Sequence, residues 1–192
     1  MFNDKASTSD AVSAGLVAKV GSTESANAGG VFSVQCFDKD GNLKWETQTH
    51  NLVVNQGLQD MNSKYFSGST YSAAFYLGLI TGPASGTSFV AGDTLATHGG
   101  WTEFTNYSGA RKAVTFGTAT TADPSVITNS ASPAQFSISG AGGVVAGAFL
   151  CTVSSGTSGV LFSEADFQSP GDRTVVSGDT LNVTYTFSLD AA

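Results

Sequence analysis

The sequence predicts an all-β protein: a jelly-roll-like β-sandwich with one short α-helix and an extended N-terminal arm. Short runs of alternating apolar and polar residues recur along the chain, and clusters of Gly, Ser and Pro separate them, as in sandwiches and barrels. Only 12% of the 192 residues are charged, whereas helices need charged side chains on their solvated faces. An immunoglobulin-like sandwich is the second choice, because the long connecting loops fit a jelly roll slightly better.

The first 30 residues differ in composition from the rest of the chain. They are mainly Ala, Ser, Gly and Thr, so they offer little apolar surface to offset the entropy lost on ordering. We expect 1–30 to be an extended or disordered arm and 31–192 to be the sandwich domain. If the arm orders by lying on a neighbouring subunit, its anchors are Phe2, Leu16, Val17 and Val20.

The folded part is expected to open with a β-hairpin. Phe32, Val34 and Cys36 alternate with polar residues, which is typical of a half-buried strand. The sequence DKDGN at 38–42 predicts a tight turn into a second alternating run. It does not predict a calcium loop, which needs Gly at its sixth position and Glu at its twelfth.

The helix is predicted between residues 51 and 67. Asn55 is a candidate N-cap, and Leu58, Met61 and Tyr65 form one apolar stripe at helical spacing. The segment AAFYLGLI at 73–80 is apolar on both faces and predicts a doubly covered strand. A single helical turn is expected at 93–98, stopped by a pair of glycines.

After Trp101 the pattern predicts strands only. They are expected at 113–117, 135–139, 144–153 and 159–162, with turn-rich loops between them. The last strand is the clearest, because five apolar residues alternate with polar ones. These are Leu181, Val183, Tyr185, Phe187 and Leu189. The sequence therefore predicts one dry face on this strand.

The net charge of −7 argues against a nucleic-acid partner, which needs a basic footprint. It argues equally against an anionic membrane surface. No stretch approaches the roughly 20 apolar residues of a membrane span, and residues 1–30 contain no apolar core of a signal peptide. We therefore expect the chain to fold in a cytoplasm.

Metal and cofactor sites are not expected. Cys36 and Cys151 lie in apolar strand-like runs and are predicted to be buried thiols, although a disulfide between them stays open. His50 and His98 each lack a second His at ligand spacing, so both are interpreted as structural or loop residues.

Catalysis is not expected either. A glycosidase needs two carboxylates that flank one cleft, and the candidates here are interpreted as solvated charges: Glu46, Asp93, Glu103, Glu164 and Asp166. Glycan binding is a stronger rival, because several aromatic side chains could stack on sugars. These are Trp45, Tyr65, Tyr71, Tyr76, Trp101 and Tyr107.

Five segments carry a resemblance to a known class of proteins. They are HNLVVNQGL at 50–58, FYLGLI at 75–80, DTLATHGGWTEF at 93–104, GAFL at 147–150 and GDTLNVTYT at 178–186. Together they resemble small β-rich proteins encoded near the capsid genes of tailed bacteriophages. That class includes head decoration (cement) proteins, which look like jelly rolls and clamp adjacent capsid subunits.

The resemblance implies a non-enzymatic virion protein on the outer surface of the phage head, made in the host cytoplasm. Its expected partners are the major capsid protein and further copies of itself, as a homodimer or homotrimer. The alternative is a tail or fibre component that binds host surface glycans. The expected contact residues are the arm anchors and three further side chains: Phe2, Leu16, Val17, Val20, Pro83, Phe89 and Trp101.

Overall fold

The structure is a computed structural model that describes residues 25–67, 74–82, 89–167 and 171–191. These residues form twelve strands and one helix. In chain order they are β1 (Ala26–Phe37), β2 (Leu43–His50), β3 (Leu52–Val53), α1 (Asn55–Phe66), β4 (Tyr76–Thr81), β5 (Glu103–Phe104), β6 (Lys112–Ala113), β7 (Ser125–Thr128), β8 (Ala134–Ser137), β9 (Gly143–Cys151), β10 (Leu161–Asp166), β11 (Arg173–Val175) and β12 (Thr180–Ala191).

The strands form two antiparallel sheets packed against each other, which confirms the predicted all-β sandwich with one short helix. The five-stranded sheet has the order β2-β1-β12-β7, and β8 also pairs with β12. The seven-stranded sheet has the order β3-β10-β9-β4-β5, with β11 beside β9 and β6 beside β4. The finer assignment to a jelly roll stays a prediction.

The inner core lies between the two sheets. Phe32 and Tyr185 of the five-stranded sheet are fully buried, with ring centroids 4.7 Å apart. They pack in one cluster with Leu77, Leu150 and Phe162 of the seven-stranded sheet. Because each buried side chain of this size stabilises the fold by roughly 1.5–3 kcal/mol, this cluster holds the sheets together.

The last strand has the dry face that its sequence predicts. Leu181, Val183 and Tyr185 are fully buried and Phe187 is nearly so. Leu189 is the exception at 42% exposed, because this end of β12 pairs with Ala28 of β1 beyond the edge of the inner core.

The first strand begins earlier than the predicted domain boundary at residue 31. β1 starts at Ala26, which pairs with Ala191. Backbone hydrogen bonds to β12 order these small residues, so no large apolar side chain is needed. The predicted hairpin follows, and the Asp38 carboxylate accepts the amides of Asp40 and Asn42, both at 2.9 Å. Gly41 supplies the positive φ of 84° that the turn requires.

The helix forms as predicted, but two details of that prediction are wrong. Val54 and not Asn55 is the N-cap, and no side chain caps the helix. The predicted stripe is not the buried side either, because Leu58 and Tyr65 are exposed while Met61 is half-buried. The buried residue is Gly57, whose missing side chain lets the first turn approach the carbonyl of Phe162 on β10.

A second apolar cluster covers the opposite face of the seven-stranded sheet. This outer cluster contains Val54, Ile80, Leu95, Trp101, Ala146, Phe149, Cys151 and Leu161. β4 therefore faces apolar residues on both sides, as its sequence predicts. The covering layer is residues 89–102, here called the covering loop.

The covering loop does not contain the helical turn expected at 93–98. Thr94 and Thr97 instead exchange two backbone hydrogen bonds, at 3.0 and 3.2 Å, and their hydroxyls bond at 2.8 Å. A Thr side chain that bonds nearby backbone and side-chain groups competes with helical pairing. This arrangement places the side chain of Leu95 in the outer cluster.

Several short strands differ from the prediction. The strand expected at 113–117 is reduced to Lys112–Ala113, and β7 and β11 were not expected. β7 and β11 contain Ser, Thr and Arg beside Val and Ile. Such short mixed segments pair because a longer neighbour, β12 or β9, offers a free edge.

Replacing Gly78 with Ala should destabilise the fold by about 1–3 kcal/mol. A Cβ at position 78 would overlap the ring of Phe149, which lies across the strand at this point. Urea unfolding would measure the change in the free energy of unfolding.

Gly29→Ala is the matched control, because a Cβ there has nothing within 4 Å. This strand substitution should be neutral, or should stabilise by up to about 1 kcal/mol. Equal losses in the two variants would contradict the close contact between Gly78 and Phe149.

Candidate interaction surface

Two large aromatic side chains lie in solvent at the end of α1. Tyr65 is 83% exposed and Phe66 is 79% exposed, and their rings meet edge to face at 4.9 Å. Isolated exposed apolar residues are common on proteins, but contiguous apolar patches mark contact sites. Aromatic side chains also dominate the energetic centres of protein interfaces.

These aromatic residues border a groove of about 630 Å³. Its apolar side chains come from α1, from the edge of the inner core and from the end of β12: Met61, Tyr65, Phe66, Phe75, Phe162 and Leu189. Asp60 and Lys64 supply charge at its border. The groove is thus an apolar surface with a small polar rim, which is the usual anatomy of a protein contact.

The attachment of α1 to β10 explains why these aromatic residues point outward. The Val54 amide donates to the Phe162 carbonyl at 3.2 Å, and the Gln56 side-chain oxygen accepts the Leu161 amide at 2.9 Å. With Gly57 also against this strand, the first turn of the helix fixes which side is buried. Tyr65 then lies on the solvent side.

The structure describes two of the seven predicted contact residues. Phe89 is half-buried against the outer cluster, and Trp101 is only 6% exposed, so its side chain belongs to the interior. The other predicted contacts lie outside the described residues. They are Phe2, Leu16, Val17, Val20 and Pro83.

Sequence reasoning missed the aromatic pair on α1. The sequence pattern places Tyr65 in the apolar stripe of α1 and among the possible sugar platforms, and it gives Phe66 no role. Their adjacency was a usable signal, because neighbouring helical residues point about 100° apart, so at most one of the two rings can lie at the centre of a buried face.

A second, polar cleft lies on the five-stranded sheet, with a volume of about 530 Å³. Side chains of three neighbouring strands and of β11 line it: Ser33, Gln35, Glu46, Gln48, Asn182, Thr184 and Arg173. Gln35 donates to Glu46 at 3.2 Å and Gln48 donates to Ser33 at 3.0 Å. This cleft has the hydrogen-bonding groups that sugars need.

The expected aromatic platforms are mostly unavailable to a sugar. Trp101 and Tyr107 are buried, and Tyr71 lies outside the described residues. The Trp45 ring is covered by the guanidinium of Arg173, 5.5 Å from its centroid. Tyr65 is exposed, but it borders the apolar groove and not the polar cleft.

Two of the candidate carboxylates are buried, so their interpretation as solvated charges was wrong. Glu164 is fully buried on β10, and Asp93 is nearly so in the covering loop. The Trp101 indole donates to Glu164 Oε2 at 2.8 Å. Burial raises the pKa of Glu164 to about 8, and the neighbouring Asp93 adds to the increase.

A third buried charge belongs to Arg111. Its Nε and Nη2 donate to the two carboxylate oxygens of Glu103 at 2.9 and 2.8 Å, which makes a bidentate ion pair. The guanidinium also lies 5.1 Å from the centre of the Phe149 ring and donates to the Val153 carbonyl. Arg111 therefore ties β5 and the loop before β6 to the end of β9.

The cysteine prediction is confirmed, since Cys36 and Cys151 are both buried and free. Burial raises the pKa of the Cys36 thiol to about 12. His98 stacks on Trp101 with ring centroids 3.7 Å apart and bonds its carbonyl, so its role is structural. His50 is exposed at the end of β2.

The described residues contain no group of three or more His, Cys, Asp or Glu side chains placed to hold a metal ion. α1, the helix in the described part of the chain, falls short of the length and apolar character needed to cross a membrane. Comparison with protein-family models, with curated proteins and with solved structures finds no match.

Replacing Arg111 with Met should destabilise the protein by about 3 kcal/mol. Removing one partner leaves the Glu103 carboxylate partly buried without its bidentate donor. Lys39→Met is the control, because the Lys39–Asp40 pair is exposed and such pairs contribute roughly 0–1 kcal/mol. Thermal unfolding of both variants measures the difference, and equal losses would contradict a structural role for the buried pair.

Both thiols should be unreactive in the native protein. Thiolate is the reacting species, and burial raises the pKa of Cys36 and of Cys151. Ellman's reagent at neutral pH should therefore detect no thiol before unfolding and both thiols after denaturant is added. Rapid reaction of a native thiol would show that one of the two cores opens readily.

Proposed function

We propose that this chain is a non-enzymatic structural protein that decorates the outer surface of a tailed-phage head and clamps neighbouring major capsid subunits. The observation that carries the proposal is the exposed apolar groove beside Tyr65 and Phe66 on a β-sandwich. The resemblance of the sequence to phage head proteins supplies the class of partner.

The groove suits a protein partner better than a soluble small molecule. Tyr65, Phe66 and Leu189 form an apolar surface at one end of the sandwich. Covering a side chain such as Phe66 contributes on the order of 2 kcal/mol to binding. Summed over many copies on a shell, contacts of this size stabilise the assembled state through mass action and multivalency.

Rigidity is the second requirement for a clamp, and the sandwich supports it. The two sheets share an inner core with closely packed aromatic rings, such as Tyr107 on Phe136 at 4.8 Å. Phe162 belongs to that core and Phe75 packs against it, and both side chains also line the groove. A partner that binds in the groove therefore contacts a surface that the packed inner core holds in place.

The proposal also includes self-association as a homodimer or homotrimer, which matches the local symmetry of a shell. Sedimentation velocity of the purified protein measures the association state. A monomer at high protein concentration would contradict the proposed self-association. It would leave the proposed contact with the capsid unaffected.

A tail or fibre component that binds host glycans is the second candidate. The polar cleft favours it, because Gln35, Glu46 and Gln48 line it with hydrogen-bond donors and acceptors. The hydroxyls of a sugar could bond such groups. A glycan array distinguishes the two candidates, and binding that Glu46→Gln removes would favour the cleft.

Quantitative mass spectrometry of purified phage particles tests the head assignment. Decoration of a head requires many copies per particle in a fixed ratio to the major capsid protein. Only a few copies per particle would instead favour a tail or fibre position.

Replacing Phe66 with Ser should weaken binding to expanded capsid shells about 30-fold, because roughly 2 kcal/mol of apolar burial is lost. Co-sedimentation with shells at graded protein concentrations measures the affinity. Leu43→Ser is the control, since Leu43 is an exposed apolar side chain on β2 that does not line the groove. Equal affinity of the Phe66 variant and the unmodified protein would exclude the groove as the contact.

A further inference from the structure

The covering loop is held on the seven-stranded sheet mainly by side chains. Residues 89–102 form no strand with it. At the ends of the loop, the Ala91 carbonyl accepts the amide of Asn55 at 2.7 Å, and the Thr102 carbonyl accepts that of Thr81 at 2.8 Å. Between these points, Leu95 and Trp101 insert into the outer cluster.

A charged group of the sheet, Glu164, also bonds this loop. It lies on β10, opposite Phe149 of β9 on one side and Leu52 of the edge strand β3 on the other. Its side chain is fully buried, and its Oε2 accepts the indole N–H of Trp101 at 2.8 Å. The other oxygen, Oε1, has no donor within the described residues.

The group beside Glu164 is a second carboxyl, that of Asp93. Asp93 is buried in the covering loop, and its side chain is within hydrogen-bonding reach of Glu164. Two ionised carboxylates are both acceptors and cannot bond each other. A hydrogen bond between them therefore requires one proton, which would also satisfy the unpartnered oxygen of Glu164.

We propose that Glu164 holds a proton that it donates to Asp93, and that this proton is the latch that holds the covering loop on the sheet. When the proton is lost, two negative charges face each other in a dry apolar layer. Like charges so close together cannot both stay buried. The loop then separates from the sheet and exposes the outer cluster. This latch is independent of the proposed role on a phage head.

The other charged groups around the pair do not replace the proton. Arg111 lies against Phe149, but its charge is matched by the bidentate bond to Glu103. His98 faces the ring of Trp101 and bonds its carbonyl.

Two further titratable groups lie near the pair, and neither can supply a positive charge. Cys151 lies in the outer cluster and bonds Arg111. Asp166 lies two residues along β10, and burial raises its pKa, with Asp172 contributing.

The direction of the pH dependence follows from linkage. Burial and then Asp93 raise the pKa of Glu164 from an ordinary 4.5 to about 8, so the closed state binds more protons than the open state between these values. The stability of the closed loop is therefore complete below the lower pKa. It falls as pH rises toward about 8 and is constant above it.

Hydrogen–deuterium exchange of the full-length protein, corrected for intrinsic rates, tests the latch. Between about pH 5 and about pH 8, the protection of amides in 89–102 should fall by up to about tenfold per pH unit and then level off. Amides of β1 and β12 should keep their protection. A loop whose protection does not change with pH would overturn the proposal.

The variant Glu164→Gln tests whether Glu164 is the group that holds the proton. The amide can accept from Trp101 and donate to Asp93 without any titration, so protection of the loop should become independent of pH. Glu46→Gln is the control, because Glu46 is exposed on the other sheet, and it should leave the pH dependence unchanged. A pH dependence that survives in Glu164→Gln would overturn the proposal.

A second measurement uses the unmodified protein, so it does not require that a variant folds. The infrared carbonyl stretch of a protonated carboxyl should be present in the unmodified protein at neutral pH and should disappear above about pH 9. Absence of that band at neutral pH would show that Glu164 holds no proton and would equally overturn the latch.

Discussion

β1 and β12 pair along their full length inside the five-stranded sheet. These two twelve-residue strands run antiparallel from the Ala26–Ala191 pair to the Phe37–Thr180 pair. They form the centre of the five-stranded sheet, and β2, β7 and β8 all pair with one of them. Their register decides which side chains face the inner core, since a shift by one residue would turn every apolar side chain to solvent.

The seven-stranded sheet is covered on both faces, and this arrangement explains the buried charges. The inner core covers one face, and the outer cluster with the covering loop covers the other. Glu164 and Arg111 are buried because they face the outer cluster or border it, where most neighbours are apolar. Charges are costly in such a layer unless they are paired or neutralised. Arg111 is paired with Glu103, whereas Glu164 has Trp101 and the neighbouring carboxyl of Asp93.

The exposed apolar surface has a different origin. The first turn of α1 docks on β10 through backbone and amide hydrogen bonds and through Gly57, which settles the rotation of the helix. Tyr65 and Phe66 then lie on its solvent side beside Leu189, where β12 extends past the inner core. In a chain with 12% charged residues, this surface is an apolar patch with few charges around it, which is what a protein contact requires.

The amino-acid pattern alone predicts the all-β class, the first hairpin, the doubly covered strand β4 and the dry face of β12. These features depend on local periodicity and on turn residues, which are the same whichever strand is the pairing partner. It also indicated the helix and the buried state of both thiols.

The pattern does not predict which side of α1 is buried, that Glu164 of β10 lies beside Asp93 of the covering loop, or that Trp101 faces inward. Those outcomes depend on contacts between residues far apart in the chain, and no local pattern encodes which distant carboxyl or ring will be the neighbour.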